Sequence, residues 1–539
     1  MDGNKLFWKL GAFAKFDFKR FGADAERLKV IKNKPEPVKD ISAEASTRHK
    51  SQGSLSCKSS SEKKKKKRKK KQSSAQTASK KTEEIRQLRN KHHIHVLGTD
   101  IPDPLGSFEE LLTHYKVQPE LLRNIDSQGY KEPTGIQRQA IPVMLNERDI
   151  MACAPTGSGK TAAFILPILH HLRKAENCGF RAVVLAPTRE LARQILLEFR
   201  KLSKGTGLRS CFIEKEATAL KKAKQNFDIL VTTPNRLVYL LQTEPPLVCV
   251  KDVEWLIVDE SDKLFEAGKR GFRDQLGAIY TACSSPKLHR AMFSATFAQD
   301  VEEWCRLNLD NVVQVYVGAK NTATNTVDQR LIFTGDEDGK LVAFRNLIRE
   351  GISPPVLVFV QSKERARELH TELMYDGIHI DVIHADRPQE QRDQVIRDFR
   401  VGRTWFLVCT ELMGRGIDFK GVNLVINYDF PTSAVSYIHR IGRTGRAGRQ
   451  GKAVTFFTES DKINLRSIAN MIRQAGCPVP EYMIAIKKPA RRERCRLANH
   501  VPERKKILTM VPKEYEKMKK KRKYRLQSMQ TEAKRARKE

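Results

Sequence analysis

The stretch Ala154-Pro-Thr156-Gly157-Ser158-Gly159-Lys160-Thr161 decides the fold. It follows the apolar run Asp149–Cys153 and opens an amphipathic segment, so it reads as a turn from a strand into a helix, the context a phosphate loop requires. Small residues from Ala154 to Gly159 let backbone N–H groups wrap phosphates at a helix N-terminus, where the dipole favours anions. Lys160 reaches outward to the terminal phosphates, and Thr161 offers a hydroxyl to a magnesium ion. The alternative is an incidental Gly/Ser-rich turn. The Lys-Thr pair stands where the mechanism needs it, even with Ala154 in place of the usual first glycine.

Short apolar runs alternate with helical segments on either side of this loop. Asp149–Cys153, Arg181–Ala186, Asp228–Val231, Glu254–Val258 and Arg290–Phe293 form one series. Gln329–Phe333, Val356–Val360, His379–Ile383, Trp405–Cys409, Leu424–Ile426 and Ala453–Phe457 form a second. Such alternation predicts parallel sheets with helices on both faces. The fold class is therefore α/β, with two tandem domains expected over 106–318 and 319–486. A linker is expected near Gly318–Thr326, where Gly, Asn, Thr and Lys replace the apolar periodicity, and a cleft between the domains follows.

The chain has 539 residues and a formal net charge of +36, unevenly spread. Residues 1–100 hold 27 basic and 11 acidic side chains, and residues 487–539 hold 21 and 6. Nearly all the excess sits in a basic N-terminal extension (1–105) and a basic C-terminal tail (487–539). Both suit a polyanion, because each Lys or Arg that neutralises a phosphate releases a counterion. Residues 40–82, around the run Lys63–Lys71, are expected to be disordered. No apolar run of about 18 residues appears, which argues against a membrane span. No signal-peptide pattern opens the chain. The ten cysteines include no C-x-x-C pair, which argues against zinc and against a disulfide framework. Cys153 and Cys409 are expected to be core packing.

Glu254-Trp-Leu-Ile-Val-Asp259-Glu260-Ser261-Asp262 is an apolar strand ending in acids. Asp259 at its tip would hold the metal, and Glu260 would orient or deprotonate an attacking water. An acid cluster after a strand is also an ordinary helix N-cap. The upstream phosphate loop favours hydrolysis. Tyr437-Ile-His439-Arg440-Ile-Gly442-Arg443-Thr444-Gly445-Arg446 then gathers three arginines and a histidine. Arg443 and Arg446, supplied across a cleft, would neutralise charge on a transferring phosphoryl group. A solvated basic helix is the competing reading.

In their order along the chain, these segments resemble the DEAD-box RNA helicases of superfamily 2, over about 106–486. The resemblance implies two RecA-like domains, with ATP and Mg2+ as ligands. It makes Gln137, in Gly129-Tyr-Lys-Glu-Pro133-Thr134-Gly135-Ile136-Gln137, the reader of the adenine edge, Phe108 its stacking aromatic, and Asp418 the ribose contact. It implies RNA-backbone roles for Pro187, Thr188 and Arg189, for Thr233 and Arg236, for Gln361 and Ser362, and for Arg392, Thr410 and Gly416. Asp262, Ser294, Thr296, His439 and Arg440 would couple hydrolysis to RNA. The sequence departs from the family pattern at Ser261 for Ala, Gly135 for Pro, Asn235 for Gly, Glu411 for Asp and Gly414 for Ala. The double-glycine motif expected near 212–218 is missing.

Outside the core, Leu6-Phe7, Leu10-Gly-Ala12, Lys15-Phe-Asp17, Arg20-Phe21 and Ala23-Asp-Ala25 resemble a nucleolar subfamily acting in small ribosomal subunit maturation. So do Leu88–His92 through Asp103-Pro104. A membrane-surface helix is the other reading of 1–22, weakened by Gly3, Gly11 and Gly22. The expectation is an ATP-dependent RNA helicase with a monomeric core, acting on pre-rRNA and meeting pre-ribosomal proteins through its tails, in the nucleus and nucleolus. Its rivals are a DNA helicase or translocase on the same core, and an RNA-binding assembly clamp whose hydrolysis is dispensable.

Overall fold

The computed structural model describes residues 80–176, 178–213, 227–265, 272–297, 299–318, 326–411, 419, 421–446, 449–487, 490 and 503–507. Strands β1 (Ile94–Leu97), β2 (Ile150–Cys153), β3 (Ala182–Leu185), β4 (Ser210–Phe212), β5 (Ile229–Thr232), β6 (Trp255–Asp259), β7 (His289–Ser294) and β8 (Val313–Val317) form the first sheet. Their order is β1-β8-β2-β7-β6-β3-β5-β4, parallel throughout except for β1 against β8. A second sheet has β9 (Val327–Phe333), β10 (Val356–Val360), β11 (Ile380–Ile383), β12 (Phe406–Thr410), β13 (Leu424–Asn427) and β14 (Gly451–Phe457), in the order β11-β12-β10-β13-β14-β9. Every pairing in it is parallel.

Strands such as β2, β3 and β10 read as unbroken apolar runs because both faces of the sheet are covered there. Within β2, Ile150 and Ala152 enter one hydrophobic cluster while Met151 and Cys153 enter the other. In β10, Leu357 and Phe359 face one cluster, and Val356, Val358 and Val360 the opposite one. Helices α1 (Gly135–Leu145), α2 (Lys160–Leu172), α3 (Arg189–Leu202) and α4 (Pro234–Gln242) belong to the first domain. Helices α5 (Glu337–Arg349), α6 (Lys363–Tyr375), α7 (Gln389–Val401) and α8 (Ala434–Ile441) belong to the second. Cys153 and Cys409 are buried, and burial pushes the Cys409 thiol up.

All eleven expected strands are present, Val356–Val360 with the expected bounds and the others with small shifts at their ends, and β1, β4 and β8 are additional. β4 is three residues long, and β8 alternates apolar residues with Gln314, so neither made a distinct apolar run. The expected boundaries need two corrections. Residues 80–91 are helical and Ile94–Leu97 pairs with β8, so the first domain begins before residue 106. Residues 503–507, read as part of the C-terminal tail, pack on the second domain, with Ile507 in its core. The expected linker falls between β8 and β9, and its residues 319–325 lie outside the described ones. The same holds for 1–79, 508–539, Gly414, Gly416 and Asp418. Among the described residues no helix is long and apolar enough to cross a membrane.

Candidate active site across the cleft

In a parallel sheet the chain turns at the carboxyl ends of the strands, and ligands gather there. The phosphate loop follows β2, Pro187 to Arg189 follow β3, Thr233 follows β5, Asp259 ends β6, and Ser294 ends β7. Gly157 and Gly159 take φ of 79° and 88°, a conformation that L-side chains rarely adopt. Space enforces the choice as well. A Cβ at Gly159 would lie 2.5 Å from Gln137 Nε2, and one at Gly157 would lie 3.2 Å from Arg446 Cγ. Lys160 Nζ donates to the Ala154 and Pro155 carbonyls at 2.6 and 3.0 Å, which folds the ammonium over its own loop. The Ser158 hydroxyl is buried with no protein partner. Thr161 lies in the first turn of α2, half-buried.

The acids behind the loop are poorly compensated. Burial raises the Asp259 carboxyl to about 7, the neighbouring Glu260 adds to the rise, and Lys160 opposes it. Desolvation pulls the Lys160 ammonium below the ordinary lysine value. Glu260 holds a left-handed backbone at φ 48°, unusual for a non-glycine residue, and its Oε2 is buried without a hydrogen-bond partner. Two buried acids and one amine at a phosphate loop fit a divalent cation, which would supply the missing positive charge to Asp259 and Thr161.

Groups from the second domain close over these acids. Arg443 Nη2 stands 3.8 Å from Glu260 Oε1, and His439 Nε2 lies 2.5 Å from Asp262 Oδ2. Asp262 also accepts hydrogen bonds from Ser294 Oγ at 2.6 Å and Thr296 Oγ1 at 2.9 Å. Thr156 Oγ1 donates to the Gly442 carbonyl at 2.8 Å, and Arg446 is fixed beside it through its own bond to that carbonyl. Four of the five expected coupling residues therefore meet in one buried network. Arg440 does not join them. Its guanidinium stays within the second domain, on the Asp429 carbonyl at 2.8 Å and on Glu411 at 3.2 Å. Glu411, which departs from the family's Asp, also accepts from Ser436 Oγ at 2.6 Å, on the same Oε2 that meets Arg440.

Two residues expected on the nucleotide side are engaged within the first domain. Gln137 accepts from Thr134 N and donates to the Gly159 carbonyl at 3.1 Å, so its amide locks α1 to the phosphate loop. Phe108 is 5% exposed in the first-domain core beside Leu105 and Leu111, packed rather than presented to a base. Gly135, which stands in place of the family's Pro, is closely surrounded. A Cβ there would lie 3.1 Å from Val317 and 3.2 Å from the His92 carbonyl, so the glycine makes room for the segment leading into β1.

The RNA-facing candidates divide into helix starts and ion pairs. Thr188 caps α3, with its hydroxyl accepting from Leu191 N, and Arg189 is exposed beside buried Pro187. Ser362 caps α6 in the same way. Thr233 precedes α4, and Arg236 lies 5.2 Å from the Tyr239 ring centre. Arg392 crosses the cleft to Glu190 at 2.7 Å, and Arg193 pairs with Asp393 at 2.8 Å. Thr410 ends β12, half-buried. Sequence reasoning missed Glu190, Asp393 and Asp429 as organising acids. An acid following β13, as Asp259 ends β6, was the available signal for Asp429.

A phosphate loop, an acid-tipped strand and arginines delivered from a second α/β domain define a two-domain nucleotide hydrolase that assembles its site by closing. Comparison with known proteins narrows this class. The DEAD/DEAH box helicase family matches residues 134–304, and the helicase conserved C-terminal domain matches 339–448. The chain is 52% identical to Probable ATP-dependent RNA helicase DDX52 of Rattus norvegicus, over 94% of this chain and 95% of that protein. It is 42% identical to ATP-dependent RNA helicase ROK1 of Saccharomyces cerevisiae, over 80% and 78% of the two chains. Among solved structures, Dbp5 of S. cerevisiae bound to RNA and ADP BeF3 is similar with a TM-score of 0.62 and 28% identity, over 71% of this chain and 99% of that one. Mss116p bound to ssRNA and AMP-PNP gives 0.62 and 25%, over 72% and 83%. The chain belongs to the DEAD-box family of ATP-dependent RNA helicases. Both domains are RecA-like, and the enzyme hydrolyses ATP and binds RNA.

Proposed function

We propose that this helicase binds ATP with Mg2+ on the first domain, closes on single-stranded RNA, and in doing so clamps and locally separates short duplexes. The observation that carries this reading is the cross-cleft network, in which Glu260 meets Arg443 and Asp262 meets His439. Mg2+, held by Asp259 and Thr161, would neutralise phosphate charge. Glu260 is placed to take a proton from water, and no protein donor occupies the lone pairs of its buried Oε2. Arg443 and Arg446 bring positive charge that only the closed arrangement provides. Asp262 ties Ser294 and Thr296 of the first domain to His439 of the second, so closing and orienting the site are one event.

The substrate is pre-rRNA during maturation of the small ribosomal subunit, in the nucleolus. The resemblance of residues 6–25 and 88–104 to that nucleolar subfamily supports this, as does a relationship to a DDX52 helicase that spans 94% of the chain. The enzyme acts as a monomeric core whose basic tails reach RNA and pre-ribosomal proteins. Crosslinking the protein in cells and mapping its RNA sites tests the substrate. Sites clustered on small-subunit pre-rRNA are expected, and sites confined to other RNA classes contradict it. ATP hydrolysis stimulated equally by RNA and by DNA of the same length would favour the DNA translocase instead.

A further inference from the structure

Beyond residue 448, where the family match ends, the chain returns to the second domain and inserts Arg504 beneath the end of β10. The guanidinium is 4% exposed and donates in three directions, to Gln361 Oε1 at 2.7 Å, Glu337 Oε1 at 2.6 Å and Asp461 Oδ1 at 2.7 Å. Its Nε also lies 3.8 Å from Asp429. The same acids serve Lys340 and Arg365. Lys340 reaches Glu337 at 2.8 Å and Asp429 at 3.3 Å, and Arg365 reaches Glu337 at 2.8 Å and Asp429 at 2.7 Å. Glu337, Asp429 and Asp461 are thus balanced by Lys340, Arg365 and Arg504, and without Arg504 the buried cluster is one positive charge short. Two further contacts hold the strap down. Arg365 donates to the Lys505 carbonyl, and Ile507 N donates to Glu368 at 3.0 Å.

Gln361 is gripped from two sides by this cluster. Its backbone N–H donates to Asp429 Oδ2 at 2.8 Å, and its side-chain carbonyl accepts from Arg504. Guanidinium has only donors, so the amide must turn its oxygen toward Arg504 and its NH2 away, which is the orientation a phosphate or ribose oxygen requires. A cavity of about 20 Å³ beside Gln361 and Arg504 has room for one water.

We propose that Arg504 is a positioning residue for RNA binding, one that presents the Gln361 amide to the RNA backbone and makes the strap 503–507 a working part of the second domain. The inference rests on the reading of Gln361 as an RNA contact. Lysine keeps the charge of arginine but lacks the planar fork that spans three acceptors. In the full-length protein, Arg504→Lys is therefore expected to raise the RNA concentration giving half-maximal ATPase about tenfold, the equivalent of a lost hydrogen bond. Maximal turnover and nucleotide affinity without RNA should stay close to those of the parent. Gln361→Ala should raise the same half-saturation, and the double variant should add nothing beyond the larger single effect. If Arg504→Lys unfolds, Arg504→Gln combined with Glu337→Gln keeps the cluster balanced and should show the same shift. Parental half-saturation in Arg504→Lys beside an impaired Gln361→Ala overturns the proposal alone. Parental behaviour of Gln361→Ala overturns the RNA reading beneath it.

Discussion

Asp259 of the first domain and Asp429 of the second both lie at the carboxyl edge of a parallel sheet, 5% and 0% exposed. Their surroundings differ in sign. Asp259 has burial and the adjacent Glu260 carboxylate against it, with Lys160 and the Glu260 backbone N–H at 3.0 Å opposing them, and its carboxyl rises to about 7. Asp429 pays the same desolvation but is surrounded by Lys340, Arg365 and Arg504, which hold it well below the usual carboxylate range. The contrast separates two uses of a buried acid. One is left short of positive charge and waits for ligands that bring it, whereas the other is neutralised from within and fixes a backbone. The pH signs follow. A raised carboxyl keeps its proton in the folded state, so Asp259 makes stability fall as pH rises from about 4 to about 7. A depressed one does the reverse, and stability from Asp429 is present above about pH 4 and lost as pH drops below it.

The sharpest way to break the functional side of this contrast is to withhold the charge that closure delivers. Arg446→Ala is expected to lower RNA-stimulated turnover by roughly three decades or more, with nucleotide binding retained. Single-turnover ATPase alongside nucleotide titration would show both. Glu260→Gln should bind ATP, lose about two to four decades of turnover and hold RNA longer, because the closed state is no longer released. Near-parental turnover would remove Glu260 as the base.

Truncation sharpens the structural side. A chain cut to 101–486 loses β1, the Arg89 hydrogen bond to Gln139 and the Arg504 strap, and should show weakened RNA-stimulated ATPase. Cutting instead to 80–507 should keep that activity but flatten the salt dependence of RNA binding, by about 0.7 in log–log slope for each phosphate the tails engage. An unchanged slope would mean that the tails face no RNA. The smallest effect is expected at Gly135→Pro, where restoring the family's residue crowds Val317 and the His92 carbonyl and should cost about 1 kcal/mol in urea unfolding.

The nucleotide side was legible because its chemistry is contiguous in sequence. Loop residues 154–161 and acids 259–262 each carry their meaning within one turn, and the parallel sheets follow from the apolar runs between them. What escaped was built from distance. Arg504 and Glu337 are 167 positions apart, and no local pattern marks either as the other's partner. Gln137 was legible as a site residue, but its bonds to Thr134 and Gly159 were not, because they depend on how α1 meets the phosphate loop. β1 was hidden because the strand it pairs with, β8, lies more than 200 residues later in the chain.

The most direct test compares urea unfolding, without nucleotide at neutral pH, of the parent, Asp259→Asn and Asp429→Asn, with ATPase measured on the same samples. Asp259→Asn should unfold at no lower urea than the parent while losing hydrolysis, because it removes an acid that burial disfavours. Asp429→Asn should lose about 3–5 kcal/mol, because it strands buried cations. A loss of stability in Asp259→Asn as large as that in Asp429→Asn would contradict the distinction between the two acids.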